Sequence, residues 1–227
     1  MGKHWLIVLV CAAGLAIPGS ANAQVSVWLQ KGVSGVGAEA GVLVDDSSRS
    51  FFVDGGYSHH GVFDFDLGFE YTTFNSDNAV ASDLGAYGAV FAVQYHPLKQ
   101  GPDMPISLGF QLGVPFLKLT SSQLDAQGVS GTLVGIAAGV AAYRFVKLAP
   151  SIGVTPSIGI LYTYRHIAID DMAGDEFTNS DNHLGVTLTG NFGFLGSTGM
   201  IYGISPSLTL SDNVQFEVAV SVIAPLH

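Results

Sequence analysis

The chain has 227 residues, 48% hydrophobic and only 11% charged, with a mean hydropathy of +0.41 and a formal net charge of −10. A soluble domain usually keeps about a quarter of its residues charged to wet its surface, so an ordinary globular surface is a poor fit. Eighteen acidic against eight basic residues also argue against nucleic-acid binding, which needs a basic patch to displace counterions from phosphates.

Residues 1–23 read as a cleaved secretory signal peptide. Lys3 and His4 open it, Trp5 to Ile17 form the apolar run, and Ala21-Asn22-Ala23 is the small-x-small cleavage site. The run is shorter than the roughly 20 apolar residues a membrane-spanning helix needs. Cys11 is the sole cysteine and lies inside this segment, so the mature part has no thiol and no disulfide framework. Val10 before Cys11, where a small residue is expected, argues against a lipoprotein anchor. Residues 24–227 then form one domain.

From there, turn-rich stretches divide the chain into about ten strands. In order they are Val33–Val44, Phe51–Ser58 (short), Val62–Phe74, Leu84–His96, Ile106–Lys118, Thr132–Val146, Ile152–Ile169, Leu184–Phe194, Ile201–Leu210 and Val214–Ile223. Most reach the 9–11 residues that a tilted strand needs to cross a bilayer. Gly, Val, Phe, Tyr and Thr dominate them, and several hold proline, which helix interiors reject. Pro156 and Pro206 sit inside strands, where a missing N–H predicts a local bulge or an error in the limits. With the N-terminus on the periplasmic side, the external connections are Asp45–Ser50, Asn75–Asp83, Thr120–Gly131, Asp170–His183 and Ser211–Asn213. The inner ones are Ser58–Gly61, Pro97–Pro105, Lys147–Ser151 and Gly196–Gly199. The external set is on the whole longer and more polar, as in bacterial barrels, although Pro97–Pro105 is long for an inner turn.

The strands alternate with period two. Phe63, Phe65, Leu67, Phe69 and Tyr71 share one face; Asp64, Asp66, Gly68 and Glu70 share the other. Similar apolar rows are Tyr87-to-Tyr95, Ile106-to-Phe116, Ile152-to-Tyr164 and Val214-to-Val222. Small and polar residues suit the crowded concave side and bulky apolar ones suit lipid. The fold class expected is therefore all-β: a closed antiparallel up-and-down transmembrane β-barrel of about ten strands, within a range of eight to twelve. A soluble ligand-binding barrel would reverse the two faces, leaving a poorly charged exterior. Tyr57, Tyr71, Tyr95, Tyr143, Tyr162 and Tyr164 fall near the expected interfaces, where the ring is buried and the hydroxyl stays wet.

The signal peptide, the alternating strands and the final Val214-Gln215-Phe216-Glu217-Val218-Ala219-Val220-Ser221-Val222 resemble the small outer-membrane β-barrel proteins of the OmpA/OmpX/opacity-like porin family. That last strand is similar to the family's terminal assembly signal, which usually closes on an aromatic residue. Here Leu226 holds the in-phase apolar position. The resemblance implies an outer-membrane location, with lipid and the barrel-assembly machinery as partners, and it transfers no active-site residues.

The chemistry-bearing candidates are few. Gly35-Val36-Gly37-Ala38-Glu39-Ala40-Gly41 lacks the spacing and the strand–helix context of a dinucleotide loop. His59-His60 reads as a solvated turn whose adjacent rings point apart and chelate poorly. The acidic stretch Asp170–Glu176 lacks the spacing of a calcium loop. Asp181-Asn182-His183 and Asp64-Phe65-Asp66 are similar to the Asp-x-His and Asp-x-Asp pairs of the omptin proteases, yet the expected topology puts them at opposite ends of the barrel. The lumen is expected to be lined by Asp64, Asp66, Glu70, Gln111, Arg165 and Glu217, with the acids pairing to Arg165, Lys31 or Lys118. No catalytic, cofactor or metal site is expected. The function read from the sequence is a non-enzymatic outer-membrane barrel with a structural or surface-interaction role, or slow passage of small cations. A surface hydrolase using Asp181 and His183 and a soluble binding barrel are the alternatives.

Overall fold

A computed structural model describes residues 25–74, 84–126, 129–170 and 176–226. The expected signal peptide at residues 1–23 and the 75–83 and 171–175 segments lie outside these residues. A short helix, α1 (Val25–Trp28), leads into strand β1 (Ser34–Val44), followed by β2 (Ser48–His59), β3 (Phe63–Phe74), β4 (Gly85–Leu98) and β5 (Ser107–Thr120). Helix α2 (Ser122–Ala126) precedes β6 (Ser130–Tyr143), a four-residue β7 (Val146–Ala149), then β8 (Ile152–Asp170), β9 (Glu176–Leu195), β10 (Ile201–Leu210) and β11 (Val214–Leu226).

Every neighbouring pair is antiparallel, and β11 returns to pair with β1 from Ser34↔Leu226 to Val44↔Phe216. β6 pairs with β8, and β7 continues β6 along the same edge of β8 in the same register after a break at Arg144 and Phe145, so the ring closes through ten strands. Closure removes the exposed edges that an open sheet presents. Both ends of the barrel chain, α1 and Leu226, lie at one end of the barrel, termed here the terminal end. The opposite end, with α2 and the β8–β9 turn, is the far end.

The turns follow from local chemistry. His60 and Gly61 both have positive φ, 55° and 62°, and Val62 N donates to His59 O at 3.0 Å, so a type I′ turn sits within the three-residue β2–β3 connection and its twist matches the strands. Asp45 caps the β1–β2 turn, its Oδ1 accepting from Ser47 N at 2.6 Å and Ser48 N at 2.7 Å.

Burial assigns the faces. Phe65, Leu67 and Phe69 are 47%, 63% and 49% exposed, whereas Asp64, Asp66 and Glu70 are buried. The same alternation holds along β4, β5, β8 and β11. The apolar rows therefore point outward and the polar rows inward, which overturns the soluble alternative. Two tyrosine belts mark the limits of the greasy zone: Tyr57, Tyr95 and Tyr202 toward the terminal end, Tyr71, Tyr87, Tyr162 and Tyr164 toward the far end, all exposed. Tyr143, expected in a belt, is instead inward and buried.

Beyond the far belt the hydropathy phase inverts. On β5, Phe116 is the last exposed aromatic; Leu117 and Leu119 then point inward and are buried, while Lys118 points outward. Leu133, Ile167 and Ile169 do the same on β6 and β8, and with Phe74, Leu84, Ala86, Leu117, Leu119, Leu124 and Val129 they form an apolar core. The strands have left the lipid here, so their outer face meets water and their inner face behaves as a soluble core.

Several expected limits change. β2 is a full 12-residue strand, and β6 ends at Tyr143. The external connection placed at Asp170–His183 is mostly strand, since β9 begins at Glu176 and pairs with β8 from Asp170↔Glu176 onward. No bulge forms at either internal proline. Pro156 pairs with Gly190 in β9, and around Pro206 the β9–β10 register is the same on both sides with two pairs missing.

Candidate functional site

Of the six expected lumen residues, Asp64, Asp66, Glu70, Arg165 and Glu217 are buried on inward faces, and Gln111 is half-buried there. Their partners are not the expected ones. Lys118 points outward and Lys31 is exposed before β1, because Lys118 falls past the inversion, where outward means water. The carboxylates are held by groups that period-two reading did not pair.

On β2 and β3, Thr72 Oγ1 donates to Glu70 Oε1 at 2.6 Å and shares a 2.7 Å bond with Ser50 Oγ. Gln94 Nε2 donates to Asp66 Oδ2 at 3.5 Å. Asp64 Oδ2 lies 3.7 Å from His96 Nε2, and His96 Nδ1 lies 2.8 Å from Tyr143 Oη. Lys99 Nζ donates to the same Oη at 3.2 Å. An ammonium has only protons to give, so Tyr143 accepts from Lys99 and gives its own proton to His96 Nδ1. That leaves the Nε2 proton facing Asp64. The relay joins β3, β4, β6 and the β4–β5 loop across the terminal half of the lumen.

Glu39 and Asp54 are two further buried acids, directly opposite each other in the β1–β2 register. The expected set omitted them, along with His96, Tyr143 and Lys99. His96 was within reach, since it continues the inward row of Gln94. Tyr143 was misread as a belt residue because tyrosine serves both positions.

The other half of the lumen is roomier. Thr187 and Thr209 pair at 3.0 Å, as do Thr189 and Ser207. With Gln111, Gln215, Glu39 and Glu217 they border a cavity of about 70 Å³. At about 30 Å³ per water, that volume accommodates a few waters at most.

At the far rim, Arg165 Nε lies 3.6 Å from Asp181 Oδ1, and Asp181 Oδ2 lies 3.3 Å from His183 Nε2. His183 Nδ1 is 3.2 Å from Asp212 Oδ2. Both imidazole nitrogens therefore face carboxylates, so neither lone pair is aimed at a substrate, as a general base requires. Asp64 and Asp66 lie toward the terminal end, two to four residues from the β2–β3 turn, and are not brought to this rim. The arrangement clamps the β8–β9 hairpin to the β10–β11 turn.

His59 and His60 differ from expectation in one respect. Their rings meet, with centroids 4.2 Å apart. Their Nδ1 atoms are separately engaged, by Tyr57 Oη and Gly32 O, both at 3.3 Å. Among the described residues, no group of three or more His, Cys, Asp or Glu is placed to hold a metal ion.

No family model matches the sequence, and no curated protein matches it. Solved structures do match in fold. The β domain of the Bordetella autotransporter BrkA aligns over 86% of this chain and 99% of its own, with a TM-score of 0.51 and 11% identity. Ail, the attachment invasion locus protein of Yersinia pestis, aligns over 86% and 99% with a TM-score of 0.40 and 8% identity. Neisserial surface protein A aligns over 84% and 96% with a TM-score of 0.38 and 11% identity. With its lipid-facing belt and closed ring, this chain is a ten-stranded β-barrel of the outer-membrane type, residing in the bacterial outer membrane.

Proposed function

We propose that this barrel is a non-enzymatic, closed scaffold of the outer membrane, carrying its far end on the cell surface for envelope support and surface interaction. The observation that carries the reading is that buried apolar clusters narrow the lumen toward both ends. Leu117, Leu119, Leu133, Ile167 and Ile169 pack across the far end, and Val25 and Leu29 pack against Ile223 in part of the terminal end. Between them lies the cavity of about 70 Å³ bordered by Glu39 and Glu217. The Arg165–Asp181–His183–Asp212 network supports a stiff acidic display at the far rim.

Slow passage of small cations is the second reading, favoured by the inward acids Glu39, Asp54, Asp66 and Glu217. Planar-bilayer recording of the refolded mature chain separates the two. A silent bilayer is expected; a steady cation-selective current replaces the first reading with the second. The surface assignment has its own check, because the mature part has no cysteine. A single Asp212→Cys change is expected to react with a membrane-impermeant maleimide on intact cells, and protection of that thiol places the rim in the periplasm.

A further inference from the structure

The β4–β5 connection is too long for a simple inner turn, and it is built rather than slack. Gln100 grips the chain after β6 at two points, its Nε2 donating to Phe145 O at 3.1 Å and its Oε1 accepting from Phe145 N at 2.7 Å. Gln100 N donates to Ser107 Oγ at 2.8 Å, and Gly101 and Met104 exchange backbone bonds of 2.9 and 3.2 Å. Facing this loop is the N-terminal segment, seated in the barrel mouth by missing side chains. A Cβ on Gly193 would collide with the Trp28 ring, and one on Gly37 would come within 2.8 Å of Val25 Cγ2.

Between the two walls lies a cavity of about 540 Å³. Small-molecule sites typically span roughly 300–1,000 Å³. Its charge lining runs against the rest of the molecule. The chain has 18 acidic residues, yet among the described residues none lines this cavity, while Lys31 and Lys99 both do. Trp28, Leu29 and Phe145 supply apolar wall. Lys99 is fixed by Tyr143, whose hydroxyl it bonds and whose ring centroid lies 5.5 Å from its Nζ. Burial pushes its ammonium down to about 8 although Asp64 works the other way.

We propose that this cavity binds a small organic anion, a carboxylate or sulfonate carried on an aromatic or aliphatic body, with Lys31 and Lys99 holding the charge and Trp28 and Phe145 the body. The site is independent of whether the lumen conducts.

Trp28 is the only tryptophan outside the signal segment, so its emission reports on the site. Refolded mature protein in detergent is titrated with 4-nitrobenzoate and, as the neutral control, 4-nitrobenzamide. Saturable quenching by the benzoate is expected, with the amide about tenfold weaker, since a charge-assisted contact is worth about that factor. Lys31→Gln and Lys99→Gln each weaken the benzoate and erase its advantage together, whereas Lys147→Gln, at the same end but off the cavity, leaves it unchanged. If Lys99→Gln does not refold, Lys99→Arg keeps the charge and Lys31→Gln decides. Equal quenching by acid and amide, quenching that never saturates, or benzoate affinity indifferent to both lysines overturns the proposal.

Discussion

The same strands follow opposite rules on the two sides of the far tyrosine belt. Within the membrane, β5 turns Phe110, Leu112 and Phe116 outward and Gly109, Gln111 and Gly113 inward; past the belt it turns Lys118 outward and buries Leu117 and Leu119. The β5–β6 register and the in–out alternation continue unchanged across this point, so the change is one of solvent. Hydrocarbon selects apolar residues on the convex side and lets the lumen be polar. Water selects the reverse, and the far end becomes a small soluble core set on a membrane barrel. The inversion thus locates the bilayer boundary residue by residue, which no single strand's periodicity does.

Substitutions on either side of the boundary test this contrast. The largest effect is expected for Leu133→Ala, which empties part of the fully buried far-end core; loss of stability by about 2–5 kcal/mol follows if that core packs like a soluble one. Urea unfolding in lipid vesicles measures it, and a change below about 0.5 kcal/mol means the cluster is not a packed core. Leu67→Arg, at a position 63% exposed in the middle of the belt, is expected to cost about 2–4 kcal/mol in vesicles. A neutral result there refutes lipid contact at that face. Inside the membrane zone, Thr72→Val leaves the buried Glu70 carboxylate without its 2.6 Å donor. The expected cost is about 1–3 kcal/mol, the range for stranding a buried polar group, and a stabilised variant shows that the lumen there behaves as apolar core.

The barrel was legible in the sequence because lipid on one side and a crowded lumen on the other impose a strict period of two. It was legible only where both solvents act. Thr178-Asn179-Ser180-Asp181-Asn182-His183 is strand, yet it stands clear of lipid and carries polar residues on both faces, so it read as loop. Lys118 read as a lumen cation because polar was equated with inward past the belt, although it continues the outward row of Ile106 to Phe116. Asp64, Asp66, Glu70, Arg165 and Glu217 were placed on the inward face from alternation alone. Their partners were not legible, since His96, Tyr143 and Asp181 meet them across strands whose register no local pattern encodes.

The smallest expected effect is the sharpest test of where the membrane stops. Ser130 begins β6 beyond the inversion, exposed and opposite Asp170 in the register with β8. Ser130→Arg introduces the same charge as Leu67→Arg, also on an outward face. In water it desolvates nothing and gains at most a surface ion pair with Asp170, worth less than about 1 kcal/mol and screened by salt. Stability in vesicles should therefore stay within about 1 kcal/mol of the parent, with any gain fading as salt rises. A cost matching that of Leu67→Arg would mean that lipid reaches Ser130. The buried leucines and isoleucines of the far end would then need a cause other than contact with water on their outer side.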